Sequence, residues 1–475
     1  MNFIILMCDT LRYDHLGCTS SGSIHTPALD RFAAEAVSFT QCRVGSYATI
    51  PARLEFFTGT VGQPFQPWRP LPWDTVTLPE ILREHGYVTM LINDTPHLIN
   101  HGYGFDRPFH GWHMVRGHEV DRWQTGPAGE VALPCAPEKL KNPDTFLAQY
   151  LRNQQGRQWE RDWQAPRLMQ AAMDWLERNR DHQRFFLWID CFTPHEPWDP
   201  PRRYVERYDP GYQGEEVIFP KYGAADYMTA AELRHVQALY AASVSLLDRW
   251  IGLLLEAVDS FGLRENTAVL LLSDHGTMNG DRGIICKPPP LYEGIAHTLF
   301  LLRHPSEEGA GRRQAGLLQA ADLAPTVLDL AGISPPSSMD GQPAWRLIQG
   351  DSSKRAIVAS GMARPGAGVT VYDGEWTLIL EPGQRCELYH LPSDPEQQHD
   401  RSTTDGEVAQ RLQHAWLAEL ERRAAPAAWR EAYALGAASP VSPMPPDPFE
   451  TLRQQRGLNG RNFLQTPVVT QERTS

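Results

Sequence analysis

The chain has 475 residues, 41% hydrophobic and 21% charged, which excludes a predominantly disordered, collagenous or coiled-coil protein. At about 100–200 residues per domain, the length allows two or three domains. The formal charge of −13 argues against nonspecific binding to nucleic acid or an anionic membrane, so neither is expected as a partner.

The apolar run 3–8 is too short for a membrane span and suits a buried strand ending at Asp9. A basic start and a small-residue cleavage site are both missing there. The seven cysteines are odd in number and form no CxxC pair. Together these features predict a cytoplasmic protein with no disulfide framework and no structural zinc module.

A helix is expected after Thr26-Pro27, with Thr as N-cap, Pro at the first helical position, and Leu29, Phe32, Ala33, Ala36 and Val37 as its apolar stripe. Thr77-Leu78-Pro79-Glu80 is a capping box for a helix ending near Gly86. Strands are expected over 87–92, 185–189 and 268–272. A long helix should start at the box Thr229…Glu232, and another should run from Asp322 to Gly332. This alternation predicts an α/β fold, a mostly parallel sheet flanked by helices. Ligands of such sheets sit beyond the carboxyl ends of the strands, where Asp9 and Asp274-His275 fall.

Past about residue 345 the pattern changes to short strands over 356–359, 369–372, 376–380 and 387–389, then a helix over 407–423. The expected organisation is a catalytic domain over 1–345 and a small C-terminal antiparallel sheet with one helix over 346–423. A Pro/Ala-rich arm over 424–475 follows.

Four segments carry chemistry-bearing residues: Asp9 at the end of the first strand; Thr49-Ile50-Pro51-Ala52-Arg53 with Phe57-Thr58-Gly59; Pro194-His195-Glu196-Pro197; and Asp274-His275-Gly276 through Gly280-Asp281-Arg282-Gly283 to Lys287 and Tyr292-Glu293. Singly each is weak, but their order and spacing are specific. The chain resembles the sulfatase family of the alkaline phosphatase superfamily over about residues 3–423. Thr49 to Arg53 lies where that family has Cys or Ser, x, Pro, x, Arg. Glu387-Leu388-Tyr389 through Asp394-Pro395 is similar to its C-terminal signature.

The resemblance implies an alkaline-phosphatase-like fold and one divalent cation. Asp9, Asp274, His275 and the Thr49 oxygen would be its ligands, a set that suits Mn²⁺, Zn²⁺ or Ca²⁺. It implies Thr49 as nucleophile, Arg53 one helical turn away facing the same anion, Lys287 as a point charge and His195 as proton carrier. Asn93 and His97 stand near the place of the family's Gly-Lys-x-His and are candidate substrate-binding residues. A polar group of His110, Arg116, His118, Asp121 and Arg122 is a candidate for the remote part of the substrate, and Trp68, Trp73, Trp112, Trp123 and Trp198 could line a cleft.

Three departures shape the functional reading. Threonine carries a β-methyl group and cannot be oxidised to the formylglycine of the main sulfatase type. Lys is missing from the Gly-Lys-x-His position. Asp9 is followed by Thr10 where the family often has a second acid, and Asp190 is assigned no ligand role. The expectation is a metal-dependent hydrolase of phosphate or phosphonate esters. The alternatives are a sulfatase acting without formylglycine and a non-catalytic anion-binding relative. The expected partner is a small anionic ester, and the C-terminal arm is a candidate for homo-oligomer contacts.

Overall fold

A computed structural model describes residues 1–19, 24–126, 131–350, 355–364, 367–381 and 385–433. Eight strands form the main sheet, in the order Arg313–Gln319, Val37–Arg43, Phe300–Arg303, Thr267–Ser273, Asn2–Cys8, Phe185–Cys191, Val88–Asn93 and Gly111–Met114. Only Phe300–Arg303 runs against the others, pairing antiparallel on both sides. The fold is therefore α/β with a mostly parallel sheet.

The three central strands are almost wholly apolar, which is what burial on both faces of a parallel sheet demands. Alternation then sorts their side chains onto two faces. Ile4, Leu6, Phe185, Leu187, Val269 and Leu271 face the helices Pro27–Glu35, Gln164–Asn179 and Ala230–Ser260. Phe3, Ile5, Met7, Phe186, Trp188, Leu270 and Leu272 face the helices Thr49–Thr58, Leu78–Glu84 and Leu323–Leu330. The 31-residue helix Ala230–Ser260 is long and apolar enough to cross a membrane by composition alone, and its apolar side packs into the first of these cores. Both predicted capping boxes form, at Thr77/Glu80 and at Thr229/Glu232.

Four strands of the sheet were not legible in the sequence, among them the four-residue edge strand Gly111–Met114, which has no buried residue. Val37 begins a strand instead of ending the helical stripe, because the helix stops at Glu35 and the chain turns into the sheet. Phe300–Arg303 has only four residues, and Arg313–Gln319 is a part-exposed edge strand without apolar alternation. The 16-residue helix Gln164–Asn179 also lay outside the expectations, although Leu168, Met169, Ala172, Trp175 and Leu176 carry its buried stripe.

The small C-terminal unit is a four-stranded antiparallel sheet, in the order Val358–Gly361, Val369–Tyr372, Trp376–Glu381 and Arg385–His390, covered by helix Gly406–Arg422. One boundary needs correction. Residues 427–433 are not an extended arm. They form helix Ala427–Tyr433, whose Trp429, Ala432 and Tyr433 pack against Trp416 and Phe65 in the same core. The apolar spacing of those three residues gives the helix a face to bury. The rest of the expected arm, and with it the oligomer contact, lies outside the described residues.

The small unit is joined to the large one next to the site. Tyr47 N–H donates to Gly361 O at 2.8 Å, and Ser360 Oγ donates to Val44 O at 2.5 Å. Buried Glu387 accepts from Tyr292 Oη at 3.1 Å, which gives Tyr292 and the Glu387 motif a structural role. Replacing Trp429 by Ala should cost about 3–5 kcal/mol of stability, seen as a lower urea midpoint. A midpoint equal to the wild type would mean that this helix is not part of the core.

Candidate active site

The same alternation that builds the core extends one step past it. Asp190 follows Phe186 and Trp188 on one face of its strand. Asp9 continues Phe3, Ile5 and Met7, and Asp274 continues Leu270 and Leu272. Three carboxylates from three adjacent strands thus emerge on one face, beneath the helix Thr49–Thr58. That helix sends Arg53 down among them. Arg53 Nε donates to Asp190 Oδ2 at 2.8 Å, and Nη1 to Asp274 Oδ2 at 2.7 Å. Nη2 reaches Asp190 Oδ1 at 3.0 Å and Asp9 Oδ2 at 3.4 Å. All four side chains are fully buried.

This corrects the expectation for Arg53. Its guanidinium is engaged by carboxylates and does not face an open anion site. Asp190, set aside in the sequence, is its main partner and also accepts from Thr95 Oγ1 at 2.7 Å and Trp188 Nε1 at 2.9 Å. One signal could have found it: a single acid at the core-facing position of an otherwise apolar strand.

Above Arg53 lies a cluster that suits a cation. Ligand atoms of Asp9, Asp274 and His275 lie within 4.8 Å of one another. His275 Nδ1 bonds to Gly276 O at 3.0 Å, and since a carbonyl only accepts, the ring proton is on Nδ1. Nε2 therefore presents its lone pair, 3.5 Å from Asp274 Oδ2 and 3.9 Å from Asp9 Oδ1, with no hydrogen-bond partner. A buried lone pair facing two carboxylates is the environment of a metal ligand. Burial and the facing Asp274 push the Asp9 carboxyl well above its ordinary range, a repulsion that a cation between them would remove. The residues fit one hard divalent ion.

Thr49 is the first residue of its helix, and its Oγ1 donates to Asp9 Oδ2 at 3.2 Å. Pro51 follows in the first turn, where a helix needs no N–H. Thr10 adopts φ of 65°, a strained value for a β-branched residue. In that conformation its N–H donates to Asp274 at 3.1 Å and its hydroxyl to Asp9 Oδ1 at 2.8 Å.

Lys287 follows the short strand Ile284–Cys286, with Cys286 at φ of 64°. Its ammonium contacts both Glu196 oxygens, at 2.8 and 2.6 Å, and lies 3.3 Å from Thr10 Oγ1. Tyr222 Oη donates to the same carboxylate. Burial raises the Glu196 pKa, but His195 and Lys287 outweigh it and hold the carboxyl low. Glu196 is thus the second functional residue that sequence reasoning missed, although it sits inside the quoted Pro-His-Glu-Pro segment. His195 stacks on Phe192 with ring centroids 4.0 Å apart, and its Nδ1 donates to Glu196 O at 2.5 Å. Burial pushes His195 down to about 4, so it is neutral at pH 7 with Nε2 as acceptor.

Of the two substrate-binding candidates, buried Asn93 is the register partner of Asp190. Its Nδ2 donates to Thr95 O at 3.0 Å, and Oδ1 has no partner. His97 packs against Trp68 and Phe192, with Nε2 2.9 Å from Glu119 Oε2. Glu119 is buried at φ of 35°. Burial raises its pKa, but the close contact with His97 outweighs this and brings it to about 2. The predicted polar group divides. Arg116 and Asp121 form a two-bond ion pair at 2.7 Å, His110 bonds Thr89, and only buried His118 reaches the site, against Phe192. Trp198 is core, whereas Trp73 is 88% exposed with the Arg107 guanidinium over its ring.

Residues 1–333 match the family model described as Sulfatase, and residues 289–424 match the one described as N-sulphoglucosamine sulphohydrolase, C-terminal. An arylsulfatase of Clostridium perfringens is 26% identical over 395 residues, covering 73% of this chain and 78% of that protein. Human iduronate 2-sulfatase is 24% identical over 405 residues, covering 71% and 70%. The phosphonate monoester hydrolase of Agrobacterium radiobacter shares the fold, with a TM-score of 0.72 at 19% identity over 89% of this chain and 96% of its own. With the family match spanning most of the chain, and with the mostly parallel sheet and its small antiparallel partner in place, this chain belongs to the sulfatase family.

Proposed function

We propose that this chain hydrolyses phosphate or phosphonate esters through a covalent intermediate on Thr49. The observation that carries this reading is Thr49 itself. A threonine hydroxyl stands at the start of the site helix, 3.2 Å from Asp9 Oδ2, and its β-methyl group bars conversion to an aldehyde. Support also comes from the shared fold of the phosphonate monoester hydrolases of Agrobacterium radiobacter and Silicibacter pomeroyi.

Asp9, Asp274, His275 and Thr49 would hold the cation, which supplies a lower hydroxyl pKa and a polarised phosphoryl oxygen. Arg53 keeps the carboxylates in register from below. Lys287 places positive charge where the transferring group becomes more negative. Thr49 Oγ1 attacks phosphorus, the P–O bond to the alcohol breaks, and the departing oxygen takes the proton released by Thr49. Water then attacks phosphorus, the bond from phosphorus to Thr49 Oγ1 breaks, and the proton that His195 Nε2 takes from that water passes to the departing Thr49 oxygen, restoring its hydroxyl.

A second reading, a sulfatase that works without formylglycine, is favoured by the family match and by the sulfatase names of the curated relatives. Turnover of one nitrophenol as phosphate, phosphonate and sulfate separates the two. A strong sulfate preference removes the first.

Three outcomes are expected. Thr49→Ala should lose about 10³-fold or more in kcat, whereas Thr49→Ser keeps activity and traps phosphate on residue 49 in acid-quenched mass spectra. Full activity in the alanine variant would remove Thr49 as nucleophile. Chelation should abolish turnover, and add-back of a divalent ion should restore it with one ion bound per chain. Because burial holds His195 at about 4, activity that needs its neutral form should persist down to pH 5 and fall as pH drops through 4. His195→Gln should remove that acid limb from the kcat/KM profile.

A further inference from the structure

Lys141 is a half-buried lysine beside the site that the proposed mechanism leaves without a task. Its backbone is held in place. Lys141 N–H donates to Phe219 O at 2.9 Å, Lys221 N–H donates to Lys139 O at 3.2 Å, and Leu140 bridges Pro220. Asn142 follows at φ of 47°, turning the chain away directly after the lysine. The ammonium lies over the Tyr222 ring, 3.5 Å from its centroid, and 5.5 Å from that of Phe219. Lys287 Nζ is 5.6 Å from the same Tyr222 ring, so one aromatic side chain borders both ammonium groups.

Among the described residues, no carboxylate forms an ion pair with Lys141. The two acids that act on it, Glu196 and Glu119, are already engaged, by Lys287 with Tyr222 and by His97. Burial pushes the Lys141 pKa down, as expected of an ammonium lacking a close counter-charge. Holding such a cation away from water costs free energy that an arriving anion returns.

We propose that Lys141 binds a second oxyanion, a carboxylate or phosphate on the part of the substrate remote from the reacting ester, and so selects doubly anionic esters. The inference deepens the reading above and rests on it for the placement of the reacting group beside Lys287. Tyr222 provides a flat apolar spacer between the two charges, and Lys141 acts on substrate choice, not on bond cleavage.

Calorimetry on the metal-loaded protein tests this with phenylphosphonate and with its 3- and 4-carboxy derivatives. The wild type should bind one carboxylated probe about tenfold more tightly, the worth of one charge-assisted hydrogen bond. Lys141→Met should erase that difference and leave phenylphosphonate affinity unchanged, and Lys141→Arg should keep the preference. Equal affinities in the wild type, failure of all probes to bind, or parallel loss for all probes in Lys141→Met would overturn the proposal. The last result would assign Lys141 a general role in supporting Glu196. Turnover of 4-nitrophenyl phenylphosphonate is read separately. No turnover with the affinity difference intact would remove ester hydrolysis at Thr49 and leave the second oxyanion site standing. Normal turnover without the difference would remove the Lys141 site alone.

Discussion

The site depends on one buried guanidinium held by three carboxylates. Arg53 crosses from a helix to the ends of three neighbouring strands and gives each carboxylate a charged donor. A guanidinium buried away from water would be prohibitive if left alone, because an unpaired buried charge costs several kcal/mol. The arrangement is thus close to all-or-none. It also divides the labour of the acids. Asp190 is consumed by Arg53, Thr95 and Trp188, while Asp9 and Asp274 keep oxygen atoms directed toward His275 and Thr49.

That division follows from the pleat. A strand that is apolar on both faces must end before it can present a polar group to a ligand. Asp9 and Asp274 stand just past their strands, whereas Asp190 lies within its own. A shift of one residue in any of the three would send its carboxylate into the opposite, wholly apolar core. The strand register that stabilises the sheet therefore also sets the charge geometry of the site.

A second shell of charge stands beside the first. Glu196 connects Lys287, Tyr222 and the backbone carbonyl that fixes the His195 tautomer. Positive backbone φ angles gather here, at Thr10, Glu119 and Cys286, which is where strain is held when the surroundings dictate it. The histidines His195 and His118, both neutral at pH 7, flank Phe192.

Much of the fold was legible in local pattern. Apolar runs gave the central strands, and the Thr…Glu boxes gave two helix starts. Strand-end position singled out Asp9, Asp274 and His275, the residues the fold brings together. The less visible parts were four strands on the two flanks of the sheet, the helices Gln164–Asn179 and Ala427–Tyr433, and every pairing between charges. Arg53 and Asp190 are 137 residues apart, and Lys287 and Glu196 are 91 apart. No local period encodes which arginine meets which acid. By itself the sequence determined the residue types available, the ends of the strands on which they stand, and a threonine that cannot become an aldehyde. Only the tertiary structure decided that Arg53 pairs with Asp9, Asp190 and Asp274, and that among the described residues Lys141 forms no ion pair with an acid, because burial, charge pairing and strand register act between segments that meet only when the chain folds.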